Sequence, residues 1–398
     1  MAAKCVRSVL FLHNNYYHFY YLAASLRKRG WDAISVSLEP PHSSNSFFYH
    51  GEDFSLYDEN PETFRNNIRD LVESVPKRFG MVHFSGDGMM AVDPVRQDVN
   101  PRRDVIPWEF IEWKKRGVTI GYSAGGCTDG ISSSSFYEWS GNSCDKCTLR
   151  EKSEICSPLR NLAWGHKREM FCDLIATETL PALDYCSGPK CYREPLTFGC
   201  DEDIWSPDLV IPEEYRIRRS TQNEVLIYHG VGNFFDKHYS GSRDYKGTRA
   251  IQSAVNNMQR KGLPVRLLFV HDLPSSKVRY VQAQADIVVD QLNFGRYGAN
   301  ARECMMLGRP VVGRIMHSEA SGVEELACLK ECPIVNATEE TIEEVLLDLV
   351  SSPAKRHALG RASRVYAEKW HSTRALAERY EKVIDWMNAG NLPQKAPV

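Results

Sequence analysis

The stretches Ala285-Asp286-Ile287-Val288-Val289-Asp290-Gln291, Gly295-Arg296-Tyr297-Gly298-Ala299-Asn300-Ala301-Arg302-Glu303 and Gly308-Arg309-Pro310-Val311-Val312 follow one another in the last third of the chain. The first is a β-branched, apolar run that reads as a strand, and the second is a glycine-rich turn opening a helix. Gly-x-Pro then leads into another strand. Such a turn offers backbone N–H groups and the positive end of a helix, which suits a diphosphate. Glu303, in the second turn of that helix, is placed to accept hydrogen bonds from a sugar or ribose hydroxyl.

The same alternation of short strands and helices runs the length of the chain. Strands are expected over 6–12, 33–37, 81–84 and 118–122, and helices over 17–29 and 62–75, with Gly30 ending the first helix. The pattern restarts after the Pro-containing stretch 206–212. There a strand over 224–228 precedes a helix over 246–260 whose residues Ala250, Ile251, Ala254, Val255 and Met258 form one stripe. Strands over 267–270, 287–289 and 310–313 and a helix over 342–349 continue it. A chain of 398 residues is long for one core, since single cores stop growing near roughly 250–300 residues. The expected class is α/β, with parallel, doubly wound sheets in two Rossmann-like domains, 1–205 and 206–375, and a terminal helix and tail over 376–398. That helix is amphipathic, with Leu376, Tyr380, Val383, Ile384 and Met387 on one face.

Lys and Arg number 49 against 51 Asp and Glu, a net charge of −2, so no broad basic face supports a nucleic-acid partner. An anionic ligand must be met locally. No run approaches the roughly 18–20 apolar residues of a membrane span, and no basic-then-apolar leader opens the chain. The expectation is a cytoplasmic protein, with peripheral contact at a membrane left open. Twelve cysteines in a long chain without a leader read as thiols or metal ligands rather than as a disulfide framework.

The segment 290–312 is similar to the donor-binding segment of the large group-1 family of retaining nucleotide-sugar glycosyltransferases, whose members share the GT-B fold. Asp244-Tyr245-Lys246-Gly247-Thr248, Phe198-Gly199-Cys200-Asp201-Glu202-Asp203-Ile204-Trp205-Ser206-Pro207 and the aromatic helix over 366–387 stand in the matching order. The resemblance implies two Rossmann-like domains facing each other across a cleft, with the C-terminal helix crossing back to the N-terminal domain. It implies transfer of a sugar from a UDP-, GDP- or other nucleoside-diphosphate sugar to a hydroxyl of a glycan, lipid-linked saccharide or small molecule, with retention, as in polysaccharide biosynthesis. A nucleotide-sugar epimerase on the same fold and an inactive scaffold remain as rivals.

Residue by residue, the resemblance implies that Lys246, with the amides at Gly247, faces the donor diphosphate. The family's companion arginine, six residues earlier, is Ser240 here, and Arg243 is the nearest substitute. Lys246, Arg243 and Glu303 form the expected catalytic set. The family pattern E-x₇-E would place a second glutamate where this chain has Gly295. Its contact to the donor sugar then falls to the turn residues Gly295, Arg296, Tyr297, Gly298 and Ala299 or to the side chain of Asn300. On the acceptor side, His13, Asn14 and Asn15 leave the first strand at its carboxyl end, where α/β sheets place ligands, and His83 lies at another strand end. His83 reads equally well as a structural histidine.

The chemistry itself is expected to need no metal, because the D-x-D of Asp201-Glu202-Asp203 stands at the interdomain connection. Cys127, Cys144, Cys147 and Cys156 are a separate matter. Their C-x₂-C and flanking cysteines read as a tetrahedral structural zinc site in an insertion over about 127–156, with free thiols or an iron–sulfur cluster as the alternatives.

Overall fold

The structure, a computed structural model, describes residues 7–12, 16–41, 43, 47–85, 107–141, 143–232, 239–240, 243–271, 273–318 and 323–398. The first half runs β1 (Ser8–Leu12), α1 (His18–Lys28), β2 (Asp32–Ser37), β3 (Phe54–Ser55), α2 (Pro61–Arg78), β4 (Met81–Ser85), α3 (Trp108–Lys115), β5 (Thr119–Ser123), α4 (Ser133–Ser140), α5 (Pro158–Phe171), β6 (Leu174–Ala176) and β7 (Cys191–Tyr192). It continues with β8 (Val225–Gly230), β9 (Tyr239–Ser240), β10 (Arg243–Asp244), α6 (Thr248–Arg260), β11 (Val265–Val270), α7 (Ser275–Gln282), β12 (Ile287–Val289), α8 (Ala299–Met306) and β13 (Val311–Gly313). The last elements are α9 (Ala327–Lys330), β14 (Val335–Asn336), α10 (Ile342–Ser351), α11 (Pro353–Trp370) and α12 (Thr373–Asn388).

These elements form two compact units. One comprises Met1–Ser135, Ser157–Gly199 and Thr373–Val398, the other Phe136–Cys156 and Cys200–Ser372. The first is built on a seven-stranded parallel sheet in the order β3-β2-β1-β4-β5-β6-β7. Its helices start and stop for local reasons. The Asn60 side chain accepts from the N–H groups of Glu62 and Thr63 ahead of Pro61, and Gly30, at φ 84°, ends the turn after α1. Val9 and Phe11 of β1, Phe19, Leu22 and Leu26 of α1, and Leu376, Tyr380, Val383 and Ile384 of α12 share one buried cluster. The apolar stripe of the terminal helix is therefore spent on the N-terminal sheet.

The second unit holds a five-stranded parallel sheet in the order β11-β8-β12-β13-β14. Ile251, Ala254, Val255 and Met258 of α6 pack on Val225 and Ile227 of β8 and on Ile287 and Val289 of β12. The strand order reverses between β8 and β12. At such a switch point the connecting segments leave to opposite faces, and a ligand crevice opens beyond the carboxyl ends of the two strands.

The compact units divide the chain differently from the 1–205, 206–375 and 376–398 ranges read from sequence. Residues 136–156 of the cysteine-rich insertion, expected with the N-terminal domain, pack with the second unit: the Phe136 ring lies 5.3 Å from that of Phe294. The single aromatic helix expected over 366–387 is two helices, α11 and α12. The chain breaks at His371–Ser372, where the His371 carbonyl accepts from the Cys200 N–H at 2.8 Å and the Ser372 hydroxyl turns back to the Glu368 carbonyl at 2.7 Å. Apolar spacing continues across the break, so periodicity alone reads straight through it.

Candidate functional site

The carboxyl ends of β8 and β12 are Gly230 and Val289, and Lys246 spans them. Its Nζ donates to the Gly230 carbonyl at 3.0 Å and stands 3.8 Å from Oδ1 of Asp290, the residue that follows β12. Asp290 is 1% exposed. Its carboxylate accepts from the Gly298 N–H and from the Asn300 side-chain amide, each at 3.2 Å, and so fixes the turn that opens α8. A carboxylate this deeply buried is tolerated because a cation and two donors surround it. The sequence showed Asp290 as the end of a strand and gave no hint that it joins lysine to turn.

The lysine is positioned by its own neighbours. Gly247, at φ 77°, turns the chain into α6, and a side chain there would press on Leu292, whose Cβ would lie 3.0 Å from the added carbon. The Asp244 carboxylate accepts from the Arg249 N–H at 2.7 Å, and the Lys246 carbonyl accepts from the Leu292 N–H at 3.1 Å. His229, wholly buried on β8, uses Nδ1 on the Val289 carbonyl at 2.9 Å and Nε2 on the Thr248 hydroxyl at 3.0 Å. Burial holds its pKa down to about 4, so the imidazole is a neutral brace at pH 7.

Glu303 lies on α8, 4% exposed, with Oε2 accepting from the Gln282 side chain at 2.7 Å. Gln282 also reaches Asn300 Oδ1 at 3.1 Å. Lys246, Gly298, Asn300 and Glu303 are thus brought together by Asp290 and Gln282, the two residues that the motif did not single out. Ala299 is the first residue of α8, and Gly247, Gly298 and Ala299 contribute backbone alone.

The remaining donor-side candidates take other parts. The Arg243 guanidinium donates to the Cys147 carbonyl at 2.8 Å and pairs with Glu151, holding the insertion. Arg296 is 1% exposed; its guanidinium donates to the Gly295 and Met316 carbonyls and lies 4.7 Å from the Trp139 ring centre. The Tyr297 hydroxyl is buried against the Tyr366 hydroxyl at 2.7 Å and His371 Nε2 at 3.0 Å, so its side chain anchors α8 to the end of α11. Gly295, at φ 88°, has Met316 and Trp139 beside it, and an added Cβ would lie 2.5 Å from Met316 Cγ and 3.1 Å from Trp139 Cη2.

In the first unit, His83 is fully buried. Its Nδ1 meets the Tyr380 hydroxyl at 3.0 Å and its Nε2 the Ser123 hydroxyl at 2.8 Å, and burial lowers its pKa to about 3. Both ring nitrogens are used inside the core, tying α12 to the sheet. His13, Asn14 and Asn15 lie outside the described residues.

Cys127 belongs to the first unit, and Cys144, Cys147 and Cys156 to the second. Burial pushes the Cys144 thiol up to about 11, with Cys147 and Cys156 nearby adding to the shift. All the described cysteines are free, and among the described residues no group of three or more His, Cys, Asp or Glu is placed to hold a metal ion. The structure gives the zinc expectation no support. Asp201 of the D-x-D accepts from the N–H groups of Asp203 and Ile204, which makes it a turn cap. No helix among the described residues is long and apolar enough to cross a membrane.

No family model and no curated protein matches the chain. Solved structures do. Sucrose-phosphate synthase from Thermosynechococcus elongatus superposes with a TM-score of 0.55 at 11% identity, covering 96% of this chain and 100% of that one. HepE from Anabaena, solved with UDP-glucose, gives 0.54 at 10% identity over 95% and 99% of the two chains. The catalytic domain of starch synthase IV from Arabidopsis thaliana, bound to ADP and acarbose, gives 0.54 at 10% identity over 94% and 97%. At these identities the likeness establishes architecture, and it does so over nearly the whole chain: this is an α/β protein with the GT-B fold.

Proposed function

We propose that the chain is a glycosyltransferase that takes its sugar from a nucleoside-diphosphate sugar and passes it, with retention, to a hydroxyl acceptor. The observation that carries the reading is Lys246 held across the β8/β12 switch point, one buried carboxylate away from the turn that opens α8. A cation and helix-terminal amides are what a leaving diphosphate needs as charge develops on it. Glu303 on α8, set by Gln282 at the end of α7, is the acceptor for ribose hydroxyls. Structural neighbours that bind UDP-glucose or ADP support a nucleotide at this site.

Catalysis in this reading rests on stabilising the departing diphosphate rather than on a protein nucleophile, so attack comes from the face the leaving group vacates. Lys246 neutralises the phosphates. The turn amides and Asn300 orient the sugar, a task the family gives partly to a glutamate at the place of Gly295. The test follows release of nucleoside diphosphate from UDP-, GDP-, ADP- and dTDP-glucose, with and without sugar and lipid-linked acceptors, and reads the anomeric configuration of the product by NMR. Acceptor-dependent release with retained configuration is expected. Conversion of donor to its epimer without acceptor would instead establish the epimerase rival, and no turnover with any donor would leave the scaffold.

A further inference from the structure

The segments 136–141 and 143–146 pack on the turn at 293–298, where Gly295 departs from the family pattern, and their contacts are specific. Trp139 Nε1 donates to the Ser318 carbonyl at 2.6 Å, while its ring lies against Gly295 and over the Arg296 guanidinium. The Ser143 hydroxyl donates to the Asn293 carbonyl. Arg314 ties the two segments together, donating to the Ser140 carbonyl at 2.9 Å and to the Asn293 carbonyl at 3.3 Å. Lys146 pairs with Glu339 at 2.8 Å, and Glu339 in turn accepts from Asn293 Nδ2 at 2.8 Å.

Three carbonyls of the turn are accordingly held. Asn293 O is taken by Ser143 and Arg314, Gly295 O by the Met316 N–H at 3.0 Å and by Arg296, and Arg296 O by Gln291. With no cis peptide bond among the described residues, each pinned carbonyl sends the N–H of the next residue the opposite way. The turn is thereby presented with its amides oriented, and a glycine at φ 88° has no side chain to do this for itself.

We propose that Trp139, with Ser143, is a positioning element for the donor sugar, taking over by packing what an acidic side chain at position 295 would do by direct contact. The proposal rests on the glycosyltransferase reading of the site. It predicts a distinction between the two ends of the donor: the turn at 293–298 faces sugar and phosphate, while the nucleoside is held by Glu303. Loosening the turn then affects the intact nucleotide sugar more than the nucleotide.

The experiment takes the full chain and the best binder from a panel of UDP-, GDP-, ADP- and dTDP-glucose, with the matching nucleoside diphosphate as control. Trp139→Ala is expected to lower kcat/KM with the nucleotide sugar about ten- to a hundredfold, the range set by misplacing a reacting group by an ångström or less. Affinity for the nucleoside diphosphate should change by less than about threefold. Trp139→Phe, which keeps an aromatic face over Gly295 and Arg296, should recover most of the loss. Equal loss for both ligands, or none for either, in folded variants overturns the proposal. If Trp139→Ala fails to fold, the same ratio is read from Ser143→Ala, and an unchanged ratio there overturns it. A parent protein that binds no member of the panel fails the glycosyltransferase reading itself, a result distinct from a parent that binds and a variant that does not discriminate.

Discussion

Replacing Asp290 by Asn keeps the shape of the side chain and removes one charge from the centre of the site. In the parent, one carboxylate accepts from the Gly298 N–H and the Asn300 amide, both at 3.2 Å, with Lys246 Nζ at 3.8 Å. An asparagine retains one acceptor oxygen, so one of the two donors must face an NH₂ group. A lost bond to a charged acceptor costs about 1.5–3 kcal/mol. The Coulomb attraction to Lys246 at 3.8 Å is about 4 kcal/mol at an effective dielectric of roughly 20. Much of it is offset, because the variant no longer buries an anion. The net expectation is a loss of about 2–4 kcal/mol, hence a melting point lower by roughly 5–10 °C for a unit of this size. Differential scanning calorimetry reads the first quantity, and titration with the nucleotide sugar reads the second, where the unfastened turn should weaken binding by about tenfold or more. An Asp290→Asn protein with parental melting point and parental donor affinity would refute the claim that this carboxylate couples lysine to turn.

Lys246→Ala should lower turnover by about 2–4 kcal/mol of transition-state stabilisation, and stopped assays with the preferred donor will show it. It should also lower the melting point, since it strips the cation from buried Asp290. Glu303→Gln turns one acceptor oxygen into a donor facing Gln282 or the ribose, so nucleotide affinity should fall roughly ten- to a hundredfold, whereas a nucleotide lacking both ribose hydroxyls should bind parent and variant alike. Gly295→Ala puts a Cβ 2.5 Å from Met316 Cγ at φ 88°, and chemical denaturation should find it destabilised by about 2–3 kcal/mol. His229 and His83 have folded pKa values of about 4 and about 3, below the unfolded value near 6.5. Their contribution to stability is therefore complete above about pH 6.5 and is lost as the pH falls toward those folded values, by up to about 1.4 kcal/mol per pH unit for each. Urea melts between pH 7 and 4 should show this slope, and His83→Gln should flatten it.

The strands were legible because β-branched runs such as Ile287-Val288-Val289 are short, apolar and bounded by turn residues, and a parallel strand buried on both faces has no other way to look. Gly30 gave away the end of α1, and the positive φ it takes is one that glycine adopts without strain, whereas Gly247, read as part of the helix over 246–260, is the left-handed residue just before α6. The residues expected on the donor side, Lys246, Gly298, Asn300 and Glu303, were singled out by local motif, and hydrogen bonds and an ion pair through Asp290 and Gln282 bring them together in the structure. What joins them was not legible. Asp290 and Gln282 act over distances of 8 to 44 residues in sequence, through contacts that leave no periodic trace. The alliance of Trp139 with Gly295 spans a longer separation still, and nothing in Ser133–Ser140 announces that its tryptophan packs on a turn so far along the chain. Arg243, expected as a second phosphate ligand because a cation close to a lysine reads that way, has its guanidinium engaged by the Cys147 carbonyl and Glu151, contacts that local sequence does not announce.

The central claim, that the β8/β12 switch point of the second unit receives a nucleoside-diphosphate sugar, is tested most directly by binding. Thermal unfolding of the parent and of Lys246→Ala should be followed against UDP-, GDP-, ADP- and dTDP-sugars. A ligand at a hundred times its Kd stabilises the folded state by about 2.7 kcal/mol. The account predicts that one nucleotide class raises the melting point of the parent by several degrees, as that linkage requires, and that the variant largely loses the shift. A parent that responds to none of the donors at millimolar concentration, or a variant that responds as fully as the parent, would contradict it.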